Sequence, residues 1–202
     1  MKETKNKILT AALRLFAERG FKAVSVSDIA GELGITKGAL YKHYKNKRDI
    51  LCSIIKEMER RDSERAQSFD LPGGTFEEMP EKYRVTAIAQ LCAYSRAQLR
   101  YWTEDPFAAD FRKMLTVGQF GTEYGELYSQ YLSAGPVGYV SDIFAALGIA
   151  QPEKAATEFY APMFLAYSLY DAAENKQEVL ETADILLSER QLYEIIKGDW
   201  TQ

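Results

Sequence analysis

Lys37, Lys42, His43 and Lys47 crowd into one short segment of a chain of 202 residues, together with Thr36, Gly38 and Tyr41. Cations, hydroxyls and a residue without a side chain at this density suit a polyanion. Thr36 to Gly38 open a helix whose free N–H groups and partial positive charge favour a phosphate. Gly38 lets that helix sit close to a duplex, and Lys47, at the next helix start, suits a second phosphate. Lys42 and His43 are the base-edge candidates, since lysine can donate to guanine in the major groove. Tyr41 can pack and donate its hydroxyl to a phosphate. A solvated helix face would carry the same residue types, and the motif around them weighs against that. Catalytic sets are missing: His43 is the only histidine, and two cysteines, Cys52 and Cys92, are far apart. No multi-histidine metal site, zinc spacing, phosphate-cradling glycine loop or nucleophile motif can be assembled. Neither an enzyme nor a cofactor is expected.

The elements that would position these residues follow from spacing. Val26, Ile29, Ala30 and Leu33 form one apolar stripe of a short helix. Ser25 with Asp28 is a capping-box-like start, Gly34 suits a left-handed end, and Ile35 folds back over the stripe. Thr36 reads as the cap of a second helix, Lys37–Tyr44, with Leu40 and Tyr44 inward and Lys37, Lys42 and His43 outward. A preceding helix, Lys5–Arg19, is closed by Gly20 and Phe21. The three make a head with Leu9, Leu13, Phe16, Val26, Ile29, Leu40 and Tyr44 as its core. Two helices crossing at a glycine turn, the second basic outside, are a helix-turn-helix over about 26–45. Asn46 caps a fourth helix from Lys47 to about Gln67.

The stretch SVSDIAGELGITKGALYKHYKNKRDIL closely resembles the DNA-binding signature of the TetR family of bacterial transcriptional regulators. The residues that carry it are Ile29-Ala30, Gly34-Ile35-Thr36, Gly38, Leu40-Tyr41, Tyr44 and Lys47. It runs from about Lys5 to Leu51, and departs from the usual pattern at Ala39 and Val24, where hydroxyl residues are frequent. The resemblance implies an all-α protein of two parts. Residues 1–62 would be the DNA-binding head and 63–202 an effector-binding and dimerisation domain. It also implies a homodimer on a palindromic, double-stranded operator, acting as a repressor released by a small-molecule effector of unknown identity. The alternatives are an effector-independent activator or architectural protein, and a helical enzyme that keeps a vestigial head.

Charge supports a divided chain. Residues 1–63 hold 14 Lys+Arg against 8 Asp+Glu, a balance of +6, while 64–202 hold 11 against 21, a balance of −10. A basic head on an acidic body places one end on phosphates and repels them elsewhere. No apolar run approaches the ~18–20 residues of a membrane span, and the N-terminal apolar residues are helically spaced. A cytoplasmic protein with no membrane partner is expected.

Prolines and glycines at 68–80 read as a loop, followed by a helix over about 80–103 and shorter ones near 107–117, 121–133 and 137–147. Residues 153–174 are apolar nearly all round, which asks for burial on every side and hence a partner. A last helix is expected over about Thr182–Lys197. Phe159, Met163, Ile185, Leu186, Tyr193 and Ile196 are the candidate dimer interface. In the family it resembles, two long C-terminal helices pair with their symmetry mates. Tyr94, Arg100, Trp102, Phe120, Tyr124, Tyr128, Tyr160, Met163 and Tyr167 could line an aromatic pocket, although each could equally be core or interface.

Overall fold

The computed structural model describes residues 2–68, 81–120 and 122–198, and every regular element among them is an α-helix. They are α1 (Lys2–Arg19), α2 (Val26–Glu32), α3 (Lys37–Tyr41), α4 (Lys47–Ser68), α5 (Glu81–Glu104) and α6 (Pro106–Gly118). The series continues with α7 (Thr122–Leu132), α8 (Ala134–Ala146), α9 (Pro152–Ala172), α10 (Lys176–Leu186) and α11 (Glu189–Gly198). Beyond Ser68, the loop expected over 68–80 lies outside the described residues.

Two expectations are corrected. The recognition helix is shorter than Lys37–Tyr44: α3 ends at Tyr41, and the amides of His43 and Tyr44 both donate to the Leu40 carbonyl, at 2.9 and 3.2 Å. The helix expected over Thr182–Lys197 is two helices. Ser188 breaks it by accepting from the Gln191 amide at 3.3 Å, a fresh N-cap, while the Leu187 carbonyl accepts from Arg96 Nη1 at 3.0 Å. A carbonyl stranded at a helix end needs such a donor.

The chain packs into two compact units. The first comprises Met1–Arg65 and Asp105–Tyr128, the second Ala66–Glu104 and Ser129–Gln202. The 62/63 division drawn from sequence follows chain order; packing brings α6 back to lie along α1. The first unit buries Ile8, Leu13, Phe16, Ile29, Leu40, Tyr44, Ile50 and Ile54 of the head with Phe111, Met114 and Leu115 of α6. Val24, only 1% exposed, takes a core place, whereas Val26 stays half-buried. Arg61 of α4 fastens α6: it lies 3.4 Å from Asp105 Oδ1 and 4.3 Å over the Phe107 ring. Asp105 in turn caps α6 through the Ala108 amide at 2.9 Å.

In the second unit α9 is central, packed by α5, α8, α10 and α11. Phe159 meets Phe144 edge-on at 6.0 Å, and the Tyr160 hydroxyl donates to the Leu132 carbonyl at 3.1 Å. Pro162, inside α9, offers no N–H to the preceding turn, as the sequence requires. Despite this packing, α9 keeps an exposed apolar strip in Phe164, Leu165 and Leu169.

Candidate nucleic-acid interface

The head's geometry is set by interactions only a few residues long. Ser25 Oγ accepts from the Asp28 amide at 3.2 Å while Asp28 Oδ2 accepts from the Ser25 amide at 2.6 Å, a complete capping box. The Ser25 bonds, side chain first and then backbone, hold the Asp28 carboxyl below the usual carboxylate range. Val24 therefore needs no hydroxyl. Gly34 adopts φ +62°, and the amides of Gly34 and Ile35 donate to the carbonyls of Gly31 and Ala30 at 3.1 and 3.0 Å. That paired pattern ends α2 and turns the chain toward α3. Thr36 Oγ1 accepts from the Ala39 amide at 3.2 Å, and Asn46 Oδ1 from the Asp49 amide at 2.8 Å, capping α3 and α4.

Between those caps, Leu40 and Tyr44 are buried, and the Tyr44 hydroxyl donates to the Lys5 carbonyl at 3.2 Å. Burial, with the Asp49 carboxylate second, pushes the Tyr44 phenol up to about 12. Thr36, Lys37, Gly38, Tyr41 and Lys42 are exposed, and His43 is half-buried. Five of the seven sequence candidates thus stand clear of the head's core on one short segment. Tyr41 is 51% exposed.

Lys47 is placed differently. Its ammonium donates to the carbonyls of Phe21 and Val24, each at 2.6 Å, and sits 4.2 Å over the Phe21 ring. The phosphate role read from sequence competes with this structural one, which fastens α4 to the loop between α1 and α2. Nothing in the sequence near Lys47 indicates it, because Phe21 lies 26 residues away.

The body candidates scatter. Phe120, Tyr124 and Tyr128 belong to the first unit, the other six to the second. Phe120 is 94% exposed, Trp102 packs against Tyr101 and Tyr131, and Tyr94 accepts from Gln98 at 2.6 Å. Arg100 is paired with Asp184, so the anion it binds is its own α10. A groove of about 320 Å³ between α9 and α10 is walled by Pro162, Leu165, Leu169, Val179, Ala183 and Leu186 among others, and by none of the nine. Of the dimer candidates, Phe159 and Met163 are buried at 1% and 7% exposure, inside their own unit. An arginine at either position would bury a charge within that unit. Ile185, Leu186 and Tyr193 are exposed, at 70%, 37% and 37%, and Ile196 is half-buried. Leu165, which sequence reading passed over, is 59% exposed; its spacing of four from Leu169 was the available signal.

Residues 8–54, a span that contains these caps, match the model of the bacterial regulatory proteins of the tetR family. The head is thus of the tetR type. It is 47% identical over 53 residues to an uncharacterized HTH-type transcriptional regulator, YerO, of Bacillus subtilis (strain 168), covering 26% of this chain and 18% of that protein. It is 45% identical over 53 residues to the HTH-type transcriptional repressor BepR of Brucella suis biovar 1 (strain 1330), covering 26% and 25%. The chain thus spans a quarter or less of these relatives' own length. The fold is shared further. The structure of SmeT in a SmeT–triclosan complex superposes over 95% of this chain and 91% of that one, with a TM-score of 0.66 at 20% identity. The tetR-type head and a helical body are therefore one architecture along the chain, while the detailed likeness is confined to the head.

Proposed function

We propose that this tetR-family chain is a transcriptional regulator that binds a palindromic duplex operator as a homodimer, and a repressor released by a small molecule. The observation that carries the reading is the exposed set Thr36, Lys37, Gly38, Tyr41 and Lys42, held between two side-chain caps on a helix whose other face is core. Because α3 is little more than one turn, and Thr36 is used as its cap, the phosphate and base contacts come from these side chains rather than from a long helix dipole. Lys42 and His43 read base edges; Lys37 and Tyr41 hold the backbone. The relative BepR is named a repressor and SmeT forms a complex with triclosan, which supports a repressor that takes a small molecule. Tyr94, Trp102, Tyr160 and Tyr167 of the second unit are the residues proposed to line its site.

Two heads must stand one DNA turn apart, ~34–36 Å or a multiple, to enter successive grooves on one face. The partner-facing surface is the exposed apolar strip of Phe164, Leu165 and Leus 169 and 186 with Ile185 and Tyr193. An effector that prefers the conformation with misplaced heads lowers operator affinity by its differential binding, typically ~1–3 kcal/mol. A DNA target puts the protein in the cytoplasm.

Selection of bound fragments from total genomic DNA, followed by titration on the selected and a scrambled duplex at several salt concentrations, tests the reading. A palindrome should emerge. Lys42→Ala should lose ~1–3 kcal/mol of preference at one base pair, with little change on scrambled DNA. Equal losses on both duplexes would remove Lys42 as a base reader, and no enriched fragment would overturn the proposal.

A further inference from the structure

We propose that Phe21 is a positioning residue through which the α6–α7 turn sets the recognition segment; the inference rests on the DNA-binding role proposed above. Phe21 lies in the loop between α1 and α2, and its ring is held from three sides. Phe16 meets it edge-on at 5.0 Å, Tyr124 of α7 lies at 5.9 Å, and the Lys47 ammonium at the start of α4 sits 4.2 Å from its centroid.

Tyr124 is fixed from behind. It is 6% exposed, and its ring packs so tightly on Gly118 at the end of α6 that a Cβ there would stand 2.9 Å from Tyr124 Cβ and Cγ. The last turn of α6 also approaches the loop, where a Cβ at Gly20 would meet Val117 Cγ1 at 3.4 Å. On its other side the loop holds both neighbours of α3. Val24 adjoins Ser25, the cap of α2, and the Lys47 ammonium takes the carbonyls of Phe21 and Val24 at 2.6 Å each. The helix-turn-helix is thus suspended from a loop whose aromatic anchor leans on α7. Close-packed contacts shift together rather than deform separately, so a displaced Tyr124 moves Phe21, and with it the frames of α2 and α4 that set α3. Neither Phe21 nor Tyr124 need touch DNA for this.

The full chain carrying Phe21→Leu, Tyr124→Leu, both changes, or Glu126→Ala as an exposed control on α7 decides the matter through two readouts. The first is amide hydrogen exchange without DNA. Tyr124→Leu should speed exchange over 36–47 by about tenfold, as expected when a local opening becomes easier, and leave α9 unchanged. The second is affinity for the selected operator. Each single change should lower it, and the double change should lower it no further than the worse single one, since residues in one contact chain are not additive. Glu126→Ala should alter neither. Unchanged exchange over 36–47 in Tyr124→Leu, or single effects that multiply in the double variant, would overturn the inference. Should Tyr124→Leu fail to fold, Phe21→Leu breaks the same contact from the loop side and is read in the same way. If the wild-type chain binds no DNA, the regulatory reading falls, and the exchange data alone still decide the linkage.

Discussion

Three glycines of the helix-turn-helix, within eight residues of one another, should respond to alanine in three different ways. A Cβ at Gly31 or Gly34 meets nothing within 4 Å, and one at Gly38 meets only Thr36 Oγ1 at 3.8 Å, an ordinary contact. Steric clash is therefore removed from the comparison, and backbone conformation decides. Gly31 lies in α2 with helical dihedrals, so Gly31→Ala removes a flexible residue from a helix and should stabilise the head by about 0.5–1 kcal/mol. Gly34 holds φ +62°, where an L side chain costs about 1–2 kcal/mol; Gly34→Ala should destabilise by that amount, and Gly34→Asn by less. Gly38 is helical again, so Gly38→Ala should stabilise the fold by about 0.5–1 kcal/mol yet weaken DNA binding, if the helix approaches the duplex through this bare position. Urea unfolding followed by circular dichroism, with slopes unchanged between variants, gives the first two signs, and operator titration adds the third. Shifts of the same sign for Gly31→Ala and Gly34→Ala would refute the reasoning, because nothing but φ separates them. A Gly38→Ala variant that is more stable and binds operator as well as wild type would show that close approach is not used there.

Lys47→Met keeps the aliphatic stem but removes two charge-assisted bonds to carbonyls, and should cost about 2 kcal/mol of stability, read as a lower unfolding midpoint in the absence of DNA. Leu165→Arg and Ile185→Arg, both on exposed positions, should leave the helical content intact and shift light scattering from dimer to monomer. Phe159→Arg, by contrast, buries an unpaired charge and should unfold the body; a folded monomer from Phe159→Arg would reverse that assignment. Burial pushes the Asp62 carboxyl up to about 6. The folded state then holds more protons than the unfolded one between roughly pH 4 and 6, so stability falls as pH rises through that window. Asp62→Asn should flatten this dependence and stabilise the protein at neutral pH by up to about 3 kcal/mol; a steeper or unaltered profile would contradict it.

Much of the head is legible in the sequence because its signals are short. The Ser25–Asp28 box, the Gly34 turn, and the Thr36 and Asn46 caps each join groups no more than five residues apart, and such interactions are written wherever the chain carries the right residues in order. The helical class and most helix positions followed from the same local spacing, and the motif added the family. What sequence could not decide was which side of an apolar helix faces inward. The run 153–174 is apolar nearly all round, so its periodicity does not choose between Phe159 and Leu165. Packing on α5, α8, α10 and α11 buries the first and leaves the second outside. The break at Ser188 was equally hidden, since a serine is tolerated in a helix until Arg96, 91 residues earlier, arrives to take the Leu187 carbonyl. Lys47 shows the same limit within the head itself. Its type and position at a helix start suit a phosphate, and only the fold brings the Phe21 ring and two carbonyls beneath its ammonium. Local sequence sets caps, turns and helix type; partners distant along the chain decide which face is buried and what each charge is spent on.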